Sequence, residues 1–277
     1  MKQTAHTNNK PLFSAILFFG LMATVGVAAV HAQDTNILIS TTGPNVLGQS
    51  HIQWNNSLEY YHYGYNGANL NFNCHSFGLA TGMRFGIGNR AELTLDLAGT
   101  YAIFDTTKSP NFRSTTGFTP AVGAKLLLFE GRGWLPMTSF FTHVAVPVQQ
   151  NAYNERWNAL VQPEIGLQFR NRLGKCFLLD YSLGYAWNRY SVEEIDFTNQ
   201  VQYSLHLRWM HSDRQMSSIG ISNRNSVHTP TIDIETRRLL TDDLQLTIAA
   251  SVAAGYGLGG GFVDNIHGLV GLSWMLR

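Results

Sequence analysis

Residues 199–209 read NQVQYSLHLRW, with apolar and polar side chains alternating without interruption. In an extended strand Val201, Tyr203, Leu205, Leu207 and Trp209 point one way, and Gln200, Gln202, Ser204, His206 and Arg208 the other. A helix would scatter both sets around its axis, so the pattern demands a strand with one dry face and one wet face. It recurs along the chain, cleanly at 52–60, 77–87, 91–101, 118–128, 159–169, 177–187, 244–254 and 264–276. It is weaker at 135–146, where Phe140, Val144 and Val146 take the apolar side, and at 216–224 and 230–238. That predicts about twelve strands, most near the ~9–11 residues that a tilted membrane-spanning strand needs. Pro120 and Pro163 fall inside two of them and predict bulges or weakened ladders there.

The links form a second pattern. Gly88-Asn89, Glu130-Gly131-Arg132-Gly133, Asn171-Arg172-Leu173-Gly174, His211-Ser212-Asp213-Arg214 and Thr241-Asp242-Asp243 are short and carry turn chemistry. The intervening links at 64–73, 102–117, 147–158 and 188–198 read as longer, and those near 225–229 and 256–262 as modest. Short turns at one end and long loops at the other are the habit of an even-stranded outer-membrane barrel, which places both chain ends in the periplasm.

A soluble barrel or sandwich also alternates, so the solvent of the apolar face must be decided. The polar set is heavily charged, with Glu59, Arg84, Glu92, Asp96, Lys125, Glu164, Asp180, Arg208, Asp233, Glu235 and Arg237, while the apolar set carries almost no charge. Lipid enforces such a bias, because Arg or Lys at mid-depth on the outer face costs roughly 2–4 kcal/mol. Aromatics also collect at strand ends. Trp54, Phe85, Phe169, Phe177, Trp209 and Trp274 stand near the short turns, and Tyr60, Tyr101, Tyr185 and Trp187 near the long loops. Two aromatic girdles mark a membrane barrel. The expectation is therefore an all-β, transmembrane, antiparallel up-and-down barrel of about 12 strands. Open edges in hydrocarbon leave backbone groups unsatisfied, so the last strand should pair with the first.

Only 13% of residues are charged and the net charge is +1, which gives no field for nucleic acid. Residues 1–32 read as a secretory signal peptide: Lys2 and Lys10, an apolar stretch over 12–30, and cleavage after Val30-His31-Ala32. That divides the chain into 1–32, an N-terminal periplasmic segment at 33–50, and a barrel at 51–277. Cys74 and Cys176 are expected at opposite ends of the barrel, too far apart to bridge.

Several stretches resemble the outer-membrane "transporter", or MetA-pathway phenol-degradation-like, proteins of Gram-negative bacteria. They are SHIQWNNSLEY at 50–60, FGIGNRAELTL at 85–95, GAKLLLFEGRGWLP at 123–136, and DDLQLTIAASVAAGYG with the terminal GLVGLSWMLR. The resemblance implies a cell outer-membrane location, passage of small compounds, hydrophobic or aromatic ones among them, and no catalytic motif. Leu276 and Arg277 close the chain where many barrels end in Phe.

The candidate site is the set of inward charges, joined by His206, which either line a polar pore or form a salt-bridged network that seals the barrel. A twelve-stranded barrel lies between the filled and the open sizes, so strand count does not choose. His143 and His75 are further inward candidates. Ser204 and His206 lie two apart on one face, a spacing a barrel enzyme acting on lipid would use, but no nucleophile motif accompanies them. The glycine run Gly255, Gly257, Gly259, Gly260 and Gly261 precedes a strand rather than a helix, so it reads as a loop and not a phosphate cradle. The sequence thus predicts a passive channel for small molecules. It predicts a monomer in outer-membrane lipid, with no cofactor, no metal site and no nucleic-acid partner. The rivals are a barrel enzyme and a sealed structural or surface-interaction barrel.

Overall fold

The computed structural model describes residues 43–66, 71–106, 109–150, 157–191, 196–223, 230–256 and 262–276. The expected signal peptide, residues 33–42 and positions 257–261 of the glycine run lie outside the described residues. The strands are β1 (Ile52–Asn66), β2 (Asn71–Gly86), β3 (Ala91–Thr106), β4 (Ser109–Phe129), β5 (Met137–Ala145), β6 (Val148–Gln150) and β7 (Trp157–Ala159). Then follow β8 (Gln162–Leu173), β9 (Phe177–Ser191), β10 (Asp196–Ser212), β11 (Gln215–Ser222), β12 (Thr231–Leu239), β13 (Leu244–Tyr256) and β14 (Phe262–Leu276).

Every neighbouring pair is antiparallel, and β1 lies against β14 from Ile52↔Leu276 to Asn66↔Phe262, so the sheet closes on itself as expected. β5 and β6 share one register against β4, with Ala121↔Ala145 and Gly117↔Gln149. They are one wall strand broken at Val146–Pro147. β7 and β8 are likewise one strand broken at Leu160–Val161, and the wall holds twelve. Both breaks lie beside Pro120 and Pro163, where the ladder lacks N–H donors. Val146 still donates to the Pro120 carbonyl at 2.9 Å.

The short turns stand where the sequence puts them, and Gly131, Gly133 and Gly174 take positive φ of 80°, 62° and 81° there. The long links are different. Most of 64–73 and 102–117 is strand, since β1 runs to Asn66, β2 starts at Asn71, β3 runs to Thr106 and β4 starts at Ser109. Past the apolar band both faces meet polar surroundings, so the two-residue period fades while the backbone ladder continues. β4 reaches 21 residues, about twice what a crossing needs.

The interior is inverted relative to a soluble protein. Among the described residues, 21 polar or charged side chains are buried against 10 hydrophobic ones, while Leu58, Leu79, Leu95, Val122, Ile219, Val270 and their like cover the outside. Leu58 is 65% exposed. A soluble fold does not spend its apolar set this way. This is the exterior of a lipid-embedded barrel.

Candidate functional site in the barrel lumen

The inward side chains form two tiers. The tier nearest the short turns is built from cations clasping carboxylates. On one stretch of wall Arg84 donates to both Glu92 oxygens at 2.7 Å and to Gln53 Oε1 at 2.8 Å. Lys125 Nζ lies 3.6 Å from Glu92. On a second stretch of wall, Arg170 clasps Asp180 through Nε at 2.6 Å and Nη2 at 2.7 Å. Arg208 Nε also donates to Asp180, at 2.5 Å, and its Nη1 lies 3.7 Å from Glu235, which Arg237 pairs in turn. Glu92 is 1% exposed and Arg208 is fully buried. Charges withdrawn this far from water persist only when paired and hydrogen-bonded.

The two stretches are joined by the chain ahead of β1. Lys125 Nζ donates to the Gly43 carbonyl at 2.9 Å. The Leu47 N–H donates to Glu92 Oε2 at 2.8 Å. Arg170 Nη1 donates to Asn45 Oδ1 at 2.6 Å. Pro44 and Leu47 are completely buried. A turn through Ser50, with φ of 64°, then leads into β1, and Ser50 N–H donates to the Gly86 carbonyl at 3.2 Å. Residues 43–47 therefore lie inside the barrel at the short-turn mouth, held against the stretch of wall from β3 through β4 and β5 to β8.

The second tier lies deeper, toward the long-loop end, and its basic partners are histidines. Asp96 stands four positions beyond Glu92 on β3, and its Oδ2 is 3.9 Å from His143 Nε2. Glu164, six positions from Arg170 on β8, is opposite His143 in the ladder. Glu59 lies 3.5 Å from His267, and Asp233 lies 3.2 Å from His206. His206 reaches Asp233 by lying across Gly220, which sits between them in the register. A Cβ at Gly220 would stand only 1.8 Å from the imidazole Cδ2. The Asp96 and Glu59 side chains are 46% and 37% exposed, open to the lumen in a way the first tier is not.

All twelve predicted site residues thus face inward, but they divide. Arg84, Glu92, Lys125, Asp180, Arg208, Glu235 and Arg237 make the first tier, and Glu59, Asp96, Glu164, His206 and Asp233 the second. His75 does not join them. It points outward beside Tyr60, whose hydroxyl is 2.9 Å from His75 Nδ1, while its neighbour Cys74 takes the inward phase. Ser204 and His206 do not form a pair. Ser204 Oγ is 2.6 Å from Ser182 Oγ, and His206 turns the other way to Asp233. Arg170 was missed because the alternation was ended at Phe169, although 168 and 170 continue the inward phase. His267 was likewise readable from its phase in the last strand. Nothing periodic marks Gly43–Leu47.

No family model matches the chain, and no curated protein matches it. Solved structures do. An outer membrane channel from Pseudomonas putida F1 superposes with a TM-score of 0.62 at 10% identity, covering 86% of this chain and 100% of that one. The Pseudomonas putida toluene transporter TodX gives 0.52 at 6% identity, over 90% and 95%. The transport unit of the autotransporter AIDA-I from Escherichia coli gives 0.52 at 13%, over 98% and 99%. At such identities the likeness is one of fold: the outer-membrane β-barrel. Channels and an autotransporter unit share that fold, so function must be argued from the lumen.

Proposed function

We propose that the protein is an outer-membrane channel through which small molecules diffuse passively, with both chain ends in the periplasm and residues 43–47 forming a partial closure of the periplasmic mouth. The observation that carries this reading is the contrast inside the barrel. Polar and charged side chains predominate in the lumen, and among the described residues one short chain segment, 43–47, is held inside its short-turn mouth. The likeness in fold to the Pseudomonas putida channel and to TodX supports passage of small, hydrophobic or aromatic solutes. Residues 1–32 serve as the cleaved signal, and the barrel works as a monomer in outer-membrane lipid without a cofactor. The inward charges act as pore lining, those of the second tier meeting the solute directly.

The test is conductance in planar bilayers and solute uptake in liposomes, for the mature chain and for a form lacking residues 33–50. Heat-dependent gel mobility confirms that both are folded. The shortened form should pass more current and take up toluene-sized solutes faster. The absence of both current and uptake in both forms would overturn the channel.

A further inference from the structure

The second tier differs from the first in one chemical respect. Its carboxylates, Glu59, Asp96, Glu164 and Asp233, sit on β1, β3, β8 and β12, well spread around the wall. Their facing basic groups are His143, His206 and His267. Arg84, one tier below, also acts on Asp96. His143 is flanked by Asp96 and Glu164. His206 lies between Asp233 and its ladder neighbour Asp180, with Glu235 close by. His267 meets Glu59, the Tyr61 ring and Ser251.

Resting on the channel reading, we propose that this tier is a charge filter that favours cationic solutes over anions of similar size, and that the preference fades as its histidines protonate. Rings of Asp and Glu select cations in channels because the low-dielectric wall focuses their field into the pore. The first tier offsets only part of this. Its five cations, Arg84, Lys125, Arg170, Arg208 and Arg237, face three carboxylates, Glu92, Asp180 and Glu235, and the surplus of two is less than the four carboxylates of the second tier. Asp96 and Glu59 stay open to the lumen. Histidine is the side chain whose charge changes between about pH 5 and 8. Neutral histidines leave four carboxylates on the wall, and three imidazolium groups offset most of that charge. The segment at 43–47 then controls access, while this tier sorts what enters.

The experiment is the reversal potential under a KCl gradient, repeated with benzylammonium and benzoate as the permeant pair, on the mature chain and the form lacking 33–50. At 4 Å in water-like surroundings a unit charge is worth ~1 kcal/mol, a preference on the order of fivefold. Potassium should exceed chloride by that order at pH 8 and approach parity at pH 5. The double substitution Asp96→Asn with Glu59→Gln should bring the pH 8 ratio close to the wild-type pH 5 value. Current without cation preference, or a preference indifferent to both pH and the substitutions, overturns the filter and leaves the channel standing. No current from either form overturns the channel and the filter together.

Discussion

Both tiers are built on carboxylates of the barrel's inner wall, and their partners set them apart. Near the short turns, Asp180 is held by two guanidiniums at 2.5–2.7 Å and is removed from water. A few residues along the strands, Asp96 meets an imidazole at 3.9 Å and keeps nearly half its surface open. Burial makes the first arrangement obligatory, because an unpaired charge there has no water to turn to. Exposure makes the second optional for folding and leaves it available to a solute. On the proposed reading, one barrel separates closure from contact by changing the cation.

The largest effect should follow from breaking the buried tier. Arg208→Ala leaves Asp180 and Glu235 short of a partner at a site without solvent, and should lower the unfolding free energy by about 3–5 kcal/mol. Urea unfolding of the refolded barrel in detergent, followed by tryptophan emission, reads this out. A loss below ~1 kcal/mol would mean that the tier is wetter than its burial implies. Next comes the junction between tiers. Gly220→Val puts a side chain where the His206 ring lies, and should cost about 1–3 kcal/mol while driving His206 away from Asp233. Gly220→Ala should show the same direction with a smaller loss.

The barrel was legible because lipid and lumen impose opposite chemistry on alternate residues. Every clean run, from Leu58 and Leu79 to Val270, keeps its expected face. Where that constraint ends, so does legibility. The outer reaches of β1–β4 read as loops because the apolar–polar alternation fades there. His75 was misplaced for the same reason, lying beyond the apolar band where its phase carries no hydropathy signal. The inward charges were readable as a set, but their division into tiers was not. Pairing along the wall depends on how neighbouring strands register, and Arg170 on β8 also meets Asn45 in a segment 125 residues earlier. The placement of Gly43–Leu47 inside the mouth has no periodic signature, since it rests on a carbonyl, an amide and an Asn side chain.

A surface pair sets the lower bound for the comparison. Arg214 and Asp242 meet at 2.6 Å on two short turns, both largely exposed. Removing either should change stability by no more than ~1 kcal/mol, and by nothing measurable in high salt. His143→Gln is the sharper small perturbation. His143 is one-third exposed and 3.9 Å from its partner, so its loss should also stay within ~1 kcal/mol. Its effect on the lumen should nevertheless be specific. At pH 8 a neutral imidazole and a glutamine amide present the same charge to Asp96 and Glu164, and the potassium-to-chloride ratio should not move. Protonation of the wild-type ring adds a cation at this position that the glutamine amide cannot carry, so at low pH the variant should keep more of its cation preference than the wild type. Reversal potentials at the two pH values measure this directly. If instead His143→Gln costs as much stability as Arg208→Ala, the upper tier is a structural element like the lower one, and the distinction between closure and contact fails.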